Sequence, residues 1–334
     1  MKKRIFSVIT LCVIMLFTSC KPSTINDSIK PNVDSSTASE TFEVNPPFFK
    51  VTDEKTGAEV YMLGSMHIGK RGAEYPAELY AAIDKCDTLA VEVDVPRLEN
   101  DTEELRDAMN VLKCKDGTTV KDYMGNDYDE IVGKFKEKGY YNQAYEQYIP
   151  ALWTSQWTNK ALKNTGYETD TGTDRIMLNY AKEKCKKIDE IETAKEQYQA
   201  NVDTSTELQM LSLKQTISLS DEETQAQLDT LYNAWKSADM ETLKSLVADD
   251  NDNTPEELQD DYKRYYDGMY TNRQKKMSDY IETQLQTGNK TVVVVGALHY
   301  AAPPSILDNL ENDGYTIETL SKKGLNTSSA VIAA

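Results

Sequence analysis

Histidine occurs twice in 334 residues, and both copies stand in the same local pattern. His67 lies in YMLGSMHIGK at 61–70 and His299 in VVVVGALHYA at 292–301, each three places after a glycine that closes an apolar run. In an α/β sheet, ligands bind beyond the carboxyl ends of the strands, where glycine lets the backbone turn tightly or approach a ligand closely. If the two runs are strands of one sheet pointing the same way, Gly64 and Gly296 aim both imidazoles at one edge, which is a metal-site geometry. A single histidine at a strand end is more often a hydrogen-bonded structural residue, but a matched pair favours function. Other chemistries find no support: there is no GxSxG elbow, HExxH helix, Walker loop or GxGxxG. Ser65 is too close along the chain to His67 to suggest a triad by itself.

The elements that must position these residues can be read from periodicity. FFKVTDEKTGAEVYMLGS has β-prone runs at 48–52 and 59–63 around a DEKTG turn, so a hairpin delivers Gly64 and His67. A helix follows from Pro76 to about Lys85. TLAVEVDV, 88–95, alternates as a strand, with Ala90, Glu92 and Asp94 on one face. From about 97 to 286 the chain reads as helices at 97–113, 127–138, 142–163, 174–185, 194–215, 221–249 in two pieces and 256–286, with a short strand in KKIDEIET, 186–193. The acidic run 248–261 fails as a calcium loop, since Pro255 stands where the sharp-turn glycine belongs. It reads instead as a helix start. The end returns to strand, helix and strand, and Val292–Val295 is a β-branched run suited to burial on both faces. The expected fold is α/β, a mixed β-sheet formed by the N- and C-terminal segments with a large, mainly helical middle, in a single domain over 42–325.

Net charge is −18, with 55 acidic against 37 basic residues, which argues against nucleic acid or an anionic bilayer as a partner. Residues 1–19 combine a basic start, a short apolar stretch and small residues before Cys20. This resembles a bacterial lipoprotein signal, which implies lipidation of Cys20 and a membrane-attached, extracytoplasmic protein. Residues 20–41, rich in Ser, Thr, Asn and Pro, read as a flexible tether. Cys86, Cys114 and Cys185 remain, an odd number with no zinc spacing, and buried thiols are the expected reading.

LGSMHIG at 63–69, LAVEVD at 89–94 and VVGALH at 294–299 together resemble the TraB/GumN family, which is related to the Tiki proteases. TGTDRIMLNYAKEKCKKIDEIETAKEQ, 171–197, resembles that family's Gly-x-Asp helix, which places Asp174, and its following strand ending in Glu-Thr. Arg273 with Met277 resembles its Arg-Asn-x-x-Met helix, with Gln274 where the family commonly has Asn. The segment 198–270 matches nothing in that pattern and is expected to shape a cleft particular to this chain. The resemblance implies metal-dependent peptide hydrolysis with manganese or cobalt, zinc being chemically possible, on a peptide or protein substrate.

The residue types agree with that implication. Two neutral imidazoles and one carboxylate leave coordination positions open for water and substrate. An acid within an apolar strand is costly unless paired, so Glu92 is either the third metal ligand or the partner of a buried arginine such as Arg273. Glu192 is a second carboxylate, a general base or a ligand. Asp94 either joins the catalysis or caps the loop after its strand. Arg273 either stabilises a tetrahedral oxyanion or neutralises the carboxylates. Tyr262, Tyr265, Tyr266 and Tyr270 read as a half-buried helix face that could otherwise grip peptide. Two non-enzymatic readings stand beside hydrolysis: capture of a peptide signal without cleavage, and a scaffold in which the acids and histidines do not converge.

Overall fold

The computed structural model describes residues 41–322. The leader, Cys20 and nearly all of the tether therefore lie outside the described residues. The described residues form eight strands, β1 (Phe42–Glu43), β2 (Phe48–Asp53), β3 (Ala58–Ser65), β4 (Ala73–Glu74), β5 (Thr88–Val91), β6 (Lys187–Glu190), β7 (Thr291–Gly296) and β8 (Thr316–Thr319). The α-helices are α1 (Ala77–Lys85), α2 (Val95–Leu98), α3 (Thr102–Met109), α4 (Val120–Met124), α5 (Tyr128–Glu137), α6 (Pro150–Leu162), α7 (Thr173–Glu183) and α8 (Ala194–Val202). They continue as α9 (Thr206–Ser218), α10 (Asp221–Lys236), α11 (Met240–Asn253), α12 (Gln259–Tyr266), α13 (Asn272–Thr287), α14 (Leu298–Ala301) and α15 (Ile306–Asn312).

The main sheet has six strands in the order β6-β5-β7-β3-β2-β8. β6, β5, β7 and β3 are parallel neighbours, and β2 is antiparallel to both β3 and β8, so the sheet is mixed as expected. The β2–β3 hairpin forms because Asp53 closes its turn. Its carboxylate accepts from the Lys55 N–H at 2.9 Å and the Thr56 hydroxyl at 2.9 Å, while Gly57 takes φ +74°. β7 is buried along its whole length, and its alternation divides two cores. Val293 and Val295 join Met62, Met277, Ile281 and Leu310 under α13 and α15, whereas Val292 and Val294 join Leu63, Leu79, Ile83, Met177 and Leu178 under α1 and α7. A parallel strand covered by helices on both sides must be apolar on both faces, which is what TVVVV supplies.

Several elements differ from the sequence-based expectation. β5 stops at Val91 rather than at Val95, because Asp94 caps α2. The helix expected over 194–215 is two helices, broken where Ser205 caps α9 by accepting from the Leu208 N–H at 3.2 Å. Glu256–Leu258 is a 3-10 turn before α12, and Asp267–Thr271 is a π-turn joining α12 to α13. Of the thiols, Cys86 is buried, but Cys185 is exposed and Cys114 intermediate, all three free. Among the described residues no helix is long and apolar enough to cross a membrane.

Candidate functional site

Four parallel strands end at one edge of the sheet, and each is followed within three residues by a candidate side chain: β3 by His67, β5 by Glu92, β6 by Glu192 and β7 by His299. Register enforces the convergence, since Ser65 pairs with Gly296 and Val91 with both Val294 and Glu190. The pairing continues past the strands, with the Glu192 N–H donating to the Glu92 carbonyl at 2.9 Å. Gly296 is tight for steric reasons. A Cβ there would lie 3.3 Å from Glu92 Oε1 and 3.7 Å from both His67 Nε2 and His299 Cδ2, so those two ring atoms are no farther apart than twice that distance.

Glu92 and Glu192 are held as a pair by one arginine. Arg273 donates through Nε to Glu192 Oε1 at 2.8 Å and through Nη2 to Glu192 Oε2 at 2.8 Å and Glu92 Oε2 at 2.7 Å. The side chains of Glu92 and Glu192 are only 5% and 2% exposed and that of Arg273 12%, so this is a buried ionic triad. Gln197 Nε2 bridges the same two carboxylates at 2.8 and 3.1 Å. The remaining oxygen, Glu92 Oε1, accepts from the Gly296 N–H at 2.6 Å and lies 3.9 Å from His299 Nε2. Arg273 is thus committed to the carboxylates, and its Nη1 donates to the Met269 carbonyl at 3.4 Å.

The histidines are in unlike surroundings. His67 Nδ1 lies 2.8 Å from Asp174 Oδ2, and its Nε2 is buried without a partner among the described residues. Burial lowers the affinity of His67 for a proton, but the charge and hydrogen bond of Asp174 more than offset it, so its pKa is raised. Burial pushes His299 well below the usual imidazole range, and the charge of Arg273 pushes the same way, leaving it neutral. Asp174 reaches His67 because Gly172, ahead of α7, lets the His67 carbonyl come close. A Cβ on Gly172 would sit 2.5 Å from that oxygen. Gly172→Ala is therefore expected to destabilise the protein by about 1–3 kcal/mol in urea unfolding. Gly133→Ala, at an exposed position in α5 with open space around it, should instead gain about 0.5–1 kcal/mol. Equal costs at the two sites would refute the close-approach argument.

A cleft of about 830 Å³, counting space open to solvent, covers this floor, and His67, Glu92, Arg273, Gly296 and His299 all line it. Its wall comes largely from the segment 198–270: Asn201, Leu231, Trp235, Leu243, Met269 and Tyr270. Asp94 is not brought into the cleft. It accepts from the Arg97 N–H at 3.1 Å and pairs with Lys182 at 2.7 Å, the capping role. Glu192 and Asp174 lie behind Arg273 and His67 rather than on the cleft surface. Of the tyrosine cluster, Tyr262 and Tyr265 are core and Tyr270 faces the cleft, with its ring 5.9 Å from that of His299. Gln197 was not a candidate from sequence, although the Thr193–Glu196 capping box after Glu192 fixes the start of α8 and so the turn on which Gln197 sits.

Among the described residues no three or more His, Cys, Asp and Glu side chains form a metal-holding group. His299 Nε2 and Glu92 Oε1 are nonetheless within reach of one cation, because two ligands about 2.1 Å from an ion stand at most about 4.2 Å apart. No curated protein and no solved structure is significantly similar to the chain. Residues 47–319, most of the chain and every residue of this site, match the profile of the TraB/PrgY/gumN family, and the chain belongs to that family.

Proposed function

We propose that the protein is a metal-dependent hydrolase of extracytoplasmic peptides or proteins, held at the membrane by a lipid on Cys20. The observation that carries this reading is the buried, unpartnered Nε2 of His67, with Nδ1 against Asp174, at the floor of the cleft. A carboxylate on the far nitrogen is the usual support of a metal-ligating imidazole, because it fixes the tautomer and the ring orientation. His67, His299 and Glu92 would hold the ion, and manganese, cobalt and zinc all suit imidazole with carboxylate. The ion would supply a low-pKa water and a polarised carbonyl. Glu192 and Arg273 set the charge beneath Glu92, and Gln197 holds the two carboxylates in register. The apolar wall of Leu231, Trp235, Leu243 and Met269 receives substrate side chains and excludes water from the reacting bond.

The test is metal analysis of the purified protein, followed by unfolding with added manganese or zinc. An ion at a hundred times its dissociation constant should add about 2.7 kcal/mol to the unfolding free energy, and His67→Ala and His299→Ala should each abolish the gain. No bound ion and no metal-linked stabilisation would refute the metal site. The engagement of both carboxylates by Arg273 favours a second reading, a cleft that captures a peptide signal without cutting it. Mass spectrometry of candidate peptides incubated with the protein, with manganese or with a chelator, separates the two. Metal-dependent cleavage supports hydrolysis, and intact peptide retained by the protein supports capture.

A further inference from the structure

Gln274 is wholly buried on α13, directly after Arg273. Its Oε1 has no partner among the described residues, yet its Nε2 donates to two backbone carbonyls, that of His299 at 3.3 Å and that of Ala302 at 3.0 Å. Both acceptors belong to the single turn α14 and its exit. The sequence explains why the His299 carbonyl needs an outside donor. A helical carbonyl at position 299 would accept from the N–H four residues on, but that residue is Pro303, which has none, and Pro304 follows it. The Ala302 N–H is already used by the Leu298 carbonyl, at 2.8 Å.

A buried amide with an orphaned oxygen is a costly choice. Methionine would fill similar space without that penalty, so the amide is there for its N–H groups. We propose that Gln274 is the positioning residue for His299, replacing at the His299 carbonyl the helical donor that Pro303 removes and, by also binding the Ala302 carbonyl, locking the turn that carries the imidazole. Arg273 and Gln274 then make consecutive positions of one helix responsible for both halves of the site: one side chain holds Glu92 and Glu192, the next holds the backbone of His299. The longer glutamine at this position reaches two carbonyls on one turn.

This inference rests on His299 belonging to the functional site, but its test requires neither metal nor substrate. With two histidines in the chain, a ring-labelled histidine NMR spectrum of the protein contains one imidazole signal set per residue, assigned with His67→Ala and His299→Ala. In Gln274→Met the His299 signal should shift by more than its linewidth or broaden, while the His67 signal stays in place. Gln274→Asn keeps the donors on a side chain one methylene shorter. It should displace the His299 signal in the same direction by a smaller amount, and it supplies the reading if the methionine variant does not fold. A His299 signal unmoved in both variants, or one that moves no more than that of His67, overturns the proposal. Absence of metal binding with a selective His299 shift would sink the hydrolase reading and leave this one standing.

Discussion

Arg273→Met is expected to remove about 3–5 kcal/mol of stability, the range for breaking a buried ion pair by deleting one partner. The size follows from what is left behind. Glu92 and Glu192 are almost fully buried, their peptide units are hydrogen-bonded neighbours, and the Arg273 guanidinium lies within ion-pair distance of both carboxylates. Gln197 would still donate to both, but an amide carries no charge. Two carboxylates in a low-dielectric site repel each other strongly without that charge. The triple variant Arg273→Met, Glu92→Gln, Glu192→Gln should therefore be more stable than Arg273→Met alone, because neutralising all three members removes the uncompensated charge. Arg273→Lys should fall between, since an ammonium cannot present Nε and Nη2 to two carboxylates at once. Urea unfolding of the four proteins decides this. A triple variant no more stable than the single one would show that Arg273 acts through packing and not through charge.

Much of this site was legible because strand ends are legible. The glycines after two apolar runs, a glutamate inside a third and a Glu-Thr after a fourth are local patterns, and the parallel sheet converts them into neighbours. The choice for Glu92 between ligand and arginine partner could not be made locally, because it depends on where α13 lies over the sheet. Arg273 reaches the carboxylates from a helix separated from β6 by α8 to α12. The end of β5 was misread for a related reason. Alternation through Val95 is also satisfied by a chain that leaves the sheet at Val91 and keeps Val93 buried against Leu98 and Leu152 in another core. Asp94 decides the matter by accepting from the Arg97 N–H, a capping signal that alternation hides.

The helical middle was legible as helices but not as a wall. Gln197 and Asn201 look like the polar face of a solvent-exposed helix, and only the packing of α8 turns that face inward. The break at Ser205 carried a signal, a serine immediately before the helical run of α9, yet the apolar period continues well enough across it to read as one helix. Tyr270 reaches the cleft through the π-turn at Asp267–Thr271, which shifts the helical register between α12 and α13. A 3.6-residue period does not anticipate such a shift.

Trp235→Ala is the substitution outside the ionic triad expected to matter most, at about 3–5 kcal/mol for loss of a fully buried tryptophan. Trp235 is 1% exposed, lies with its ring centroid 5.3 Å from that of Tyr232 and 6.3 Å from that of Tyr75, and lines the cleft. It also ties the segment 198–270 to the sheet, because Nε1 donates to the Gly64 carbonyl at 2.9 Å. That carbonyl belongs to the glycine ahead of His67, where Ala297 and Pro47 crowd so closely that a Cβ would lie 3.1 Å from each. Trp235→Phe separates the two contributions: it retains most of the ring and leaves the Gly64 carbonyl unpaired, which should cost about 1–3 kcal/mol. If the hydrogen bond fixes the strand end, the phenylalanine variant should also weaken the metal-linked stabilisation proposed above, since His67 follows Gly64 by three residues. If Trp235 only fills space, that variant should lose global stability while the metal increment stays at its wild-type value. The comparison distinguishes a cleft wall that merely covers the site from one that holds its first histidine in place.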